Sequence, residues 1–249
     1  TSPVNLAVAS SLAGITKSAI LVTKSTNDAD RVMEFVNSNS VSDIKVVGNI
    51  DTEILEALQS AGKSVSTYSG ADQFETAQLV ASSLTDTTGQ KFVLANVNNA
   101  EHLPIATSLS VRTNRPLLLT GNGLLNLQTA QYILQATNPD VIAVGTTDVI
   151  SNAALAAIEN VKRLNTEDLA EASLISLYQN QATTRGLVVA GSTSEIWKSL
   201  LLAATGLPVI LDQETIRARA IKWLRRQPLS TVVVSLDANE LFVTKVRRS

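Results

Sequence analysis

The stretch TIRARAIKWLRR at 215–226 concentrates the charge in this chain that is most able to do chemistry. On a helix turning about 100° per residue, Arg219, Lys222, Arg225 and Arg226 share one broad face, opposite Ile216, Ala220, Ile221, Trp223 and Leu224. Arg217 falls inside the apolar stripe, where an unpaired guanidinium is costly. It requires either a carboxylate across an interface or an anionic ligand in a groove. The single histidine, His102, stands beside Glu101 near a helix start and is expected at the surface rather than as a general acid or base. The turn TGNG at 120–123 occupies a place where backbone N–H groups hold phosphates. It lacks the lysine and Ser/Thr of a P-loop and the third glycine of a dinucleotide fingerprint, so it reads as a helix-starting turn. There is no cysteine, and the carboxylates do not fall at metal-ligand spacings. The expectation is a chain with no catalytic centre, no metal site and no cofactor.

The elements that position these residues come from a chain of 249 residues, 45% hydrophobic, enough for one large core or two to three small ones. Apolar runs such as PLLL and TVVVSL stop far short of the roughly 18 residues that a membrane helix needs, so no membrane insertion is expected. Thr1 follows no basic-then-apolar leader, as expected of a processed or excised chain. The net charge of -2 hides an asymmetry: from Arg185 onward there are 10 basic and 5 acidic residues. An anionic partner is steered to that end. Nucleic acid is a poor candidate, because the net charge is negative and aromatics make up only 4%.

Internal repetition is the strongest signal. IKVVG ends at Gly48 and VIAVG at Gly145, 97 residues apart; AILVT at 19–23 precedes PLLLT at 116–120 by the same distance. PVILD at 208–212 follows the latter by 92, and SGADQFETAQLV at 69–80 finds a degenerate echo 95 residues on. Each unit reads strand, helix, strand, helix, strand, helix, with continuous apolar strands. Such strands indicate a mainly parallel sheet covered by helices on both faces. The fold class is therefore α/β in three modules: 1–68, 91–160 and 185–249, with connecting helices at 69–90 and 161–184. In the first connector Asp72 caps the helix, Glu75 stands at capping-box spacing, and Phe74, Ala77, Ala81 and Leu84 form its apolar face. The first unit lacks a leading strand, and ELFVTKV at 240–246 is expected to supply it, closing the modules into a ring.

GADQFETA at 70–77, the P-ILL-like strands PLLL at 116–119, PVIL at 208–211 and AILV at 19–22, and VGTTDVIS at 144–151 together resemble the type 2 cell-wall-binding repeat of Gram-positive surface proteins. The resemblance covers nearly the whole chain. It implies Toprim-like modules around a pseudo-threefold axis, and non-covalent anchoring of a secreted protein by an anionic wall glycopolymer. Gln73-Phe74 stand where the family carries arginine-tyrosine, and VVVSLD lacks the paired glycines. Parallel sheets bind ligands at the carboxyl ends of their strands. The expected ligand-binding set is accordingly Arg115, Pro116, Leu117, Leu118, Leu119 and Thr120 on one strand, Pro208, Val209, Ile210 and Asp212 on another, and Arg217, Arg219, Lys222, Arg225 and Arg226. The alternative is a cell-surface scaffold or protein-docking module that binds no polymer.

Overall fold

The computed structural model describes residues 2–23, 25–88, 90–165, 171–174, 184–191, 196–211, 218–235 and 238–247. The first repeat contains α1 (Pro3–Thr16), α2 (Ala29–Ser38), β1 (Asp43–Val47), α3 (Thr52–Ser60) and β2 (Ser64–Tyr68). After the connecting helix α4 (Gln73–Thr88), the second contains β3 (Lys91–Asn96), α5 (His102–Thr113), β4 (Leu117–Thr120), α6 (Leu127–Leu134), β5 (Asp140–Val144), α7 (Asn152–Leu155) and β6 (Val161–Leu164). The third contains β7 (Gly186–Ala190), α8 (Ile196–Ala203), β8 (Val209–Leu211), α9 (Ala218–Leu224), β9 (Thr231–Val234) and α10 (Glu240–Arg247). Residues 171–174 are also helical.

Three parallel sheets result among the described residues, ordered β1-β2, β4-β3-β5-β6 and β8-β7-β9. In the second and third, the strand that opens the repeat is central, and its residues are almost all buried because helices cover both faces. The α/β expectation holds, and so does the capped connector. Asp72 accepts hydrogen bonds from the Phe74 and Glu75 amides at 2.9 Å, and Glu75 reaches back to the Ala71 amide at 2.5 Å.

The centre of the molecule is a trio of helices, one from each repeat: α1, α5 and α8 pack on one another. α1 and α5 are buried on nearly every side, which is why neither shows a clean amphipathic stripe. Each of the three segments ends on a left-handed residue, Lys17, Asn114 and Gly206, which turns the chain from helix back toward the sheet. Crossing at close range demands small residues. A β-carbon on Gly14 would stand 2.4 Å from a Val111 methyl and 2.5 Å from the Ala204 carbonyl. Buried hydroxyls stitch the trio: Ser108 donates to the Leu207 carbonyl at 2.5 Å, and Ser110 donates to that of Arg115 at 2.6 Å. Ser110 has then spent its only proton, so in the 2.5 Å contact between Ser11 and Ser110 it is Ser11 that donates.

Three expectations are corrected. ELFVTKV is not a strand joined to the first repeat; it is helix α10, folded into the third repeat's own core. Asn239 caps it, accepting from the Leu241 and Phe242 amides, and Phe242, Val243 and Val246 pack with Leu187, Val189, Ile210 and Leu224. Apolar spacing at i, i+1 and i+4 outweighs the strand preference of the individual residues. Residues 19–23 belong to no sheet. Residues 161–164 do not open a connecting helix but form β6, parallel to β5.

Candidate functional site

The strand residues expected to touch ligand are core. Leu117, Leu118, Leu119, Val209 and Ile210 are at most 1% exposed, and Pro116 and Pro208 are buried as well. Their side chains face helices on both sides of the sheets, so in this structure they hold the fold rather than a ligand. Thr120 is also buried, and its hydroxyl is without a hydrogen-bond partner. Arg115 is committed within the fold. Its guanidinium donates to the Asp140 carboxylate at 2.6 Å and to the Asp140 carbonyl at 2.9 Å. That bond holds the Asp140 carboxyl below the usual carboxylate range. Asp212 and Arg217 lie outside the described residues, and of Arg219 only the place on α9 is described. Lys222, Arg225 and Arg226 are exposed, while Ala220 and Leu224 are buried, so the two-faced reading of that helix holds where it is described.

His102 is corrected from surface to interior. It is 9% exposed, both ring nitrogens are without partners, and burial pushes its pKa down. It stands 97 residues after Asn5, whose side-chain oxygen is likewise buried and unpartnered. The turn at 120–123 does not itself open a helix; α6 begins at Leu127. Asn126 caps α6, and Ser151 ties the turn down through the Asn122 and Gly123 carbonyls. Among the described residues no group of three or more His, Asp or Glu is placed to hold a metal ion. Nor is any described helix long and apolar enough to cross a membrane.

A different set of cations, with no local sign in the sequence, converges in three dimensions. At the carboxyl ends of α1, α5 and α8 lies a recess of about 570 Å³, lined by Lys17, Arg112 and Arg185 with Gly14, Thr205 and Gly206 among its walls. All three repeats contribute, and no carboxylate is among the described lining residues. Arg112 is sunk into the wall, and burial pulls its pKa to about 10, leaving it charged at neutral pH. Lys17 and Arg185 are exposed. Arg112 in the last turn of α5 and Lys17 at the end of α1 complement the carboxyl termini of their helices. Arg163 shows the opposite use of a guanidinium: it is spent on the Gly145 and Thr146 carbonyls at 3.1 and 2.9 Å.

Residues 67–155 match the sequence profile of Cell wall binding domain 2 (CWB2). No curated protein matches the chain. Two solved structures share the fold along almost its whole length. Cwp8 from Clostridium difficile aligns over 99% of this chain and 45% of its own, with a TM-score of 0.82 and 19% identity. Cwp6 from Clostridium difficile aligns over 98% of this chain and 41% of its own, with a TM-score of 0.78 and 16% identity. The chain thus spans less than half the length of either. It carries a segment, α4 through α7, that matches the cell wall binding domain 2 profile, and on both sides of that segment it shares its fold with the two Clostridium difficile structures.

Proposed function

We propose that the chain attaches a secreted, cell-surface protein non-covalently to a Gram-positive wall by holding an anionic wall glycopolymer, and that it does so without catalysis. The observation that carries this reading is the recess at the junction of the repeats, with Lys17, Arg112 and Arg185 around it and no described carboxylate in its lining. Phosphate or carboxylate groups along a polymer would pair with these cations, and the exposed Lys222, Arg225 and Arg226 on α9 offer a further contact. Several weak contacts on one rigid frame give retention through avidity.

The test is retention of the purified chain on isolated Gram-positive walls, before and after acid extraction of their secondary polymers, at low and high salt. Retention is expected to vanish with the polymer and to weaken with salt. Replacing both Lys17 and Arg185 by glutamate should weaken it roughly tenfold while leaving the fold intact. Unchanged retention after polymer extraction would sink the reading.

A second reading, a protein-docking face, is favoured by one feature. Leu124, Leu127 and Leu134, at and along α6, are 76, 69 and 56% exposed, more apolar surface than one short helix ordinarily leaves open. Binding through that face would be insensitive to salt, and Leu127→Glu would abolish it.

A further inference from the structure

Asn122-Gly123 is the only place in the chain where an asparagine precedes a glycine. The order matters chemically, because the backbone nitrogen of the following residue can attack the asparagine side-chain carbonyl carbon, Cγ, and a β-carbon on that residue obstructs the approach. Glycine removes the obstruction and widens the range of backbone conformations. The surroundings decide whether the attack has room. Both residues are exposed, in the irregular segment between β4 and α6, so the Gly123 nitrogen belongs to no helix or ladder. A β-carbon built on Gly123 would meet nothing within 4 Å.

Other asparagines of the chain are held by their side chains. Asn96 is buried; its amide donates to the Val149 carbonyl, and its side-chain oxygen accepts from the Asn98 amide at 2.8 Å. Asn126 spends its oxygen on capping α6, Asn39 donates to the Phe35 carbonyl at 2.8 Å, and Asn152 accepts from Arg163 at 3.2 Å. At the turn, hydrogen bonds among the described residues reach Asn122 and Gly123 only at their main-chain carbonyls. Ser151 donates its amide to the first at 3.0 Å and its hydroxyl to the second at 2.5 Å. The oxygens are anchored, while the two atoms that must meet, Asn122 Cγ and the Gly123 nitrogen, are left free.

We propose that Asn122-Gly123 is a self-modification site, at which the folded chain converts Asn122 to aspartate and isoaspartate without an enzyme. Water is the co-reactant. The Gly123 nitrogen gives its proton to hydroxide and bonds to Asn122 Cγ; the bond from Cγ to Nδ2 breaks, and ammonia leaves. Water then opens the resulting cyclic imide at either carbonyl, and nothing is oxidised or reduced. One opening keeps the original main chain and leaves an aspartate. The other routes the main chain through the side chain, so the former Asn122 carbonyl becomes a pendant carboxylate and a methylene is added ahead of Gly123. Either product puts a negative charge into 116–139, a stretch with no charged residue. Isoaspartate also displaces a carbonyl that Ser151 holds, and Ser151 caps α7 through the Ala154 amide at 3.0 Å. The change at the turn is thereby passed to the start of α7. The proposal is independent of what the protein binds on the wall.

The experiment incubates the purified chain at neutral and mildly alkaline pH and maps its peptides by mass spectrometry, with chromatography separating aspartate from isoaspartate. Conversion at Asn122 is expected to run roughly tenfold or more ahead of that at Asn39, an exposed asparagine followed by serine, and to quicken with pH. Gly123→Ala has open space and a backbone outside the left-handed region, so it should leave Tm unchanged while slowing conversion roughly tenfold or more. Amide exchange at Ala154 should be faster in the isoaspartate form, isolated by ion exchange, than in fresh chain. Conversion at Asn122 no faster than at Asn39, or undiminished by Gly123→Ala, overturns the proposal. So does conversion confined to chain unfolded in urea, which would show that the fold protects the pair.

Discussion

Leu118 and Leu21 occupy the same position in two copies of one structural unit, yet the first is fully buried and the second is 46% exposed. The second repeat surrounds its leucine with β3 and with helices on both faces; in the first, Leu21 lies in a segment that belongs to no sheet among the described residues. The same contrast holds for ion pairing. Arg115 and Asp140 are bonded in the second repeat, whereas the corresponding positions of the first are Ser18 and Asp43. A repeated sequence thus specifies a repeated path for the chain, but burial depends on neighbours that the local sequence does not contain. Parallel sheets make this dependence acute, because their central strand touches apolar groups on both faces and hydrogen-bonds at both edges.

The largest test of the contrast is a matched pair of truncations. Leu118→Ala should destabilise by about 2–5 kcal/mol, as expected for a fully buried leucine, and Leu21→Ala by about 0.5 kcal/mol or less. Urea denaturation of both variants measures the difference, and equal effects would mean that the first repeat is as tightly packed as the second. Gly14→Ala comes next, at about 1–3 kcal/mol, because the added methyl meets Val111 and the Ala204 carbonyl. Gly14 and Val111 hold the same register, one repeat supplying the hole and the other the side chain over it. Adding Val111→Ala should recover part of the loss, a coupling that a double-mutant cycle reads directly.

Arg115→Met should cost about 1–2 kcal/mol at neutral pH, a figure discounted for the solvent that reaches Asp140. The Asp140 carboxyl is held low in the folded chain, so its contribution is present above the unfolded value of about 3.9 and is lost as pH falls through the folded one. The gap between wild type and Arg115→Met should therefore close below about pH 4, and a gap constant with pH would show that Arg115 acts through packing alone. The smallest effect belongs to His102. Burial depresses its pKa, so the unfolded chain takes up its proton first, and stability drops as pH falls below about 6.5. His102→Leu should flatten Tm between about pH 6.5 and 5 without changing the acid limb set by Asp140. An unaltered slope would place the titrating group elsewhere.

How much of this was legible in the sequence can be followed residue by residue. The period of 97, the α/β class and the Asp72–Glu75 cap are local patterns, written in neighbouring residues and in their recurrence. The strand at 161–164 was hidden because VKRL sets two adjacent charges between its apolar residues at a sheet edge, where burial is partial. ELFVTKV misled because its residues favour strands one by one, while the faces it buries against Leu187 and Leu224 favour a helix. Of the candidate site, the exposed basic face of α9 was legible from helical periodicity. The recess was not: Lys17, Arg112 and Arg185 come from three repeats and meet only because α1, α5 and α8 end together.

By itself, then, the sequence determined a repeated α/β unit, the places where its helices start, and the identity of apolar strands that require cover on both faces. The tertiary structure alone decided which strands receive that cover, which arginine pairs with Asp140, which histidine is stripped of water, and which cations share a recess. The physical reason is range. Backbone propensity, capping and hydrophobic periodicity act over a few residues, whereas burial, charge pairing and the shape of a cleft depend on groups brought together across roughly a hundred positions of chain.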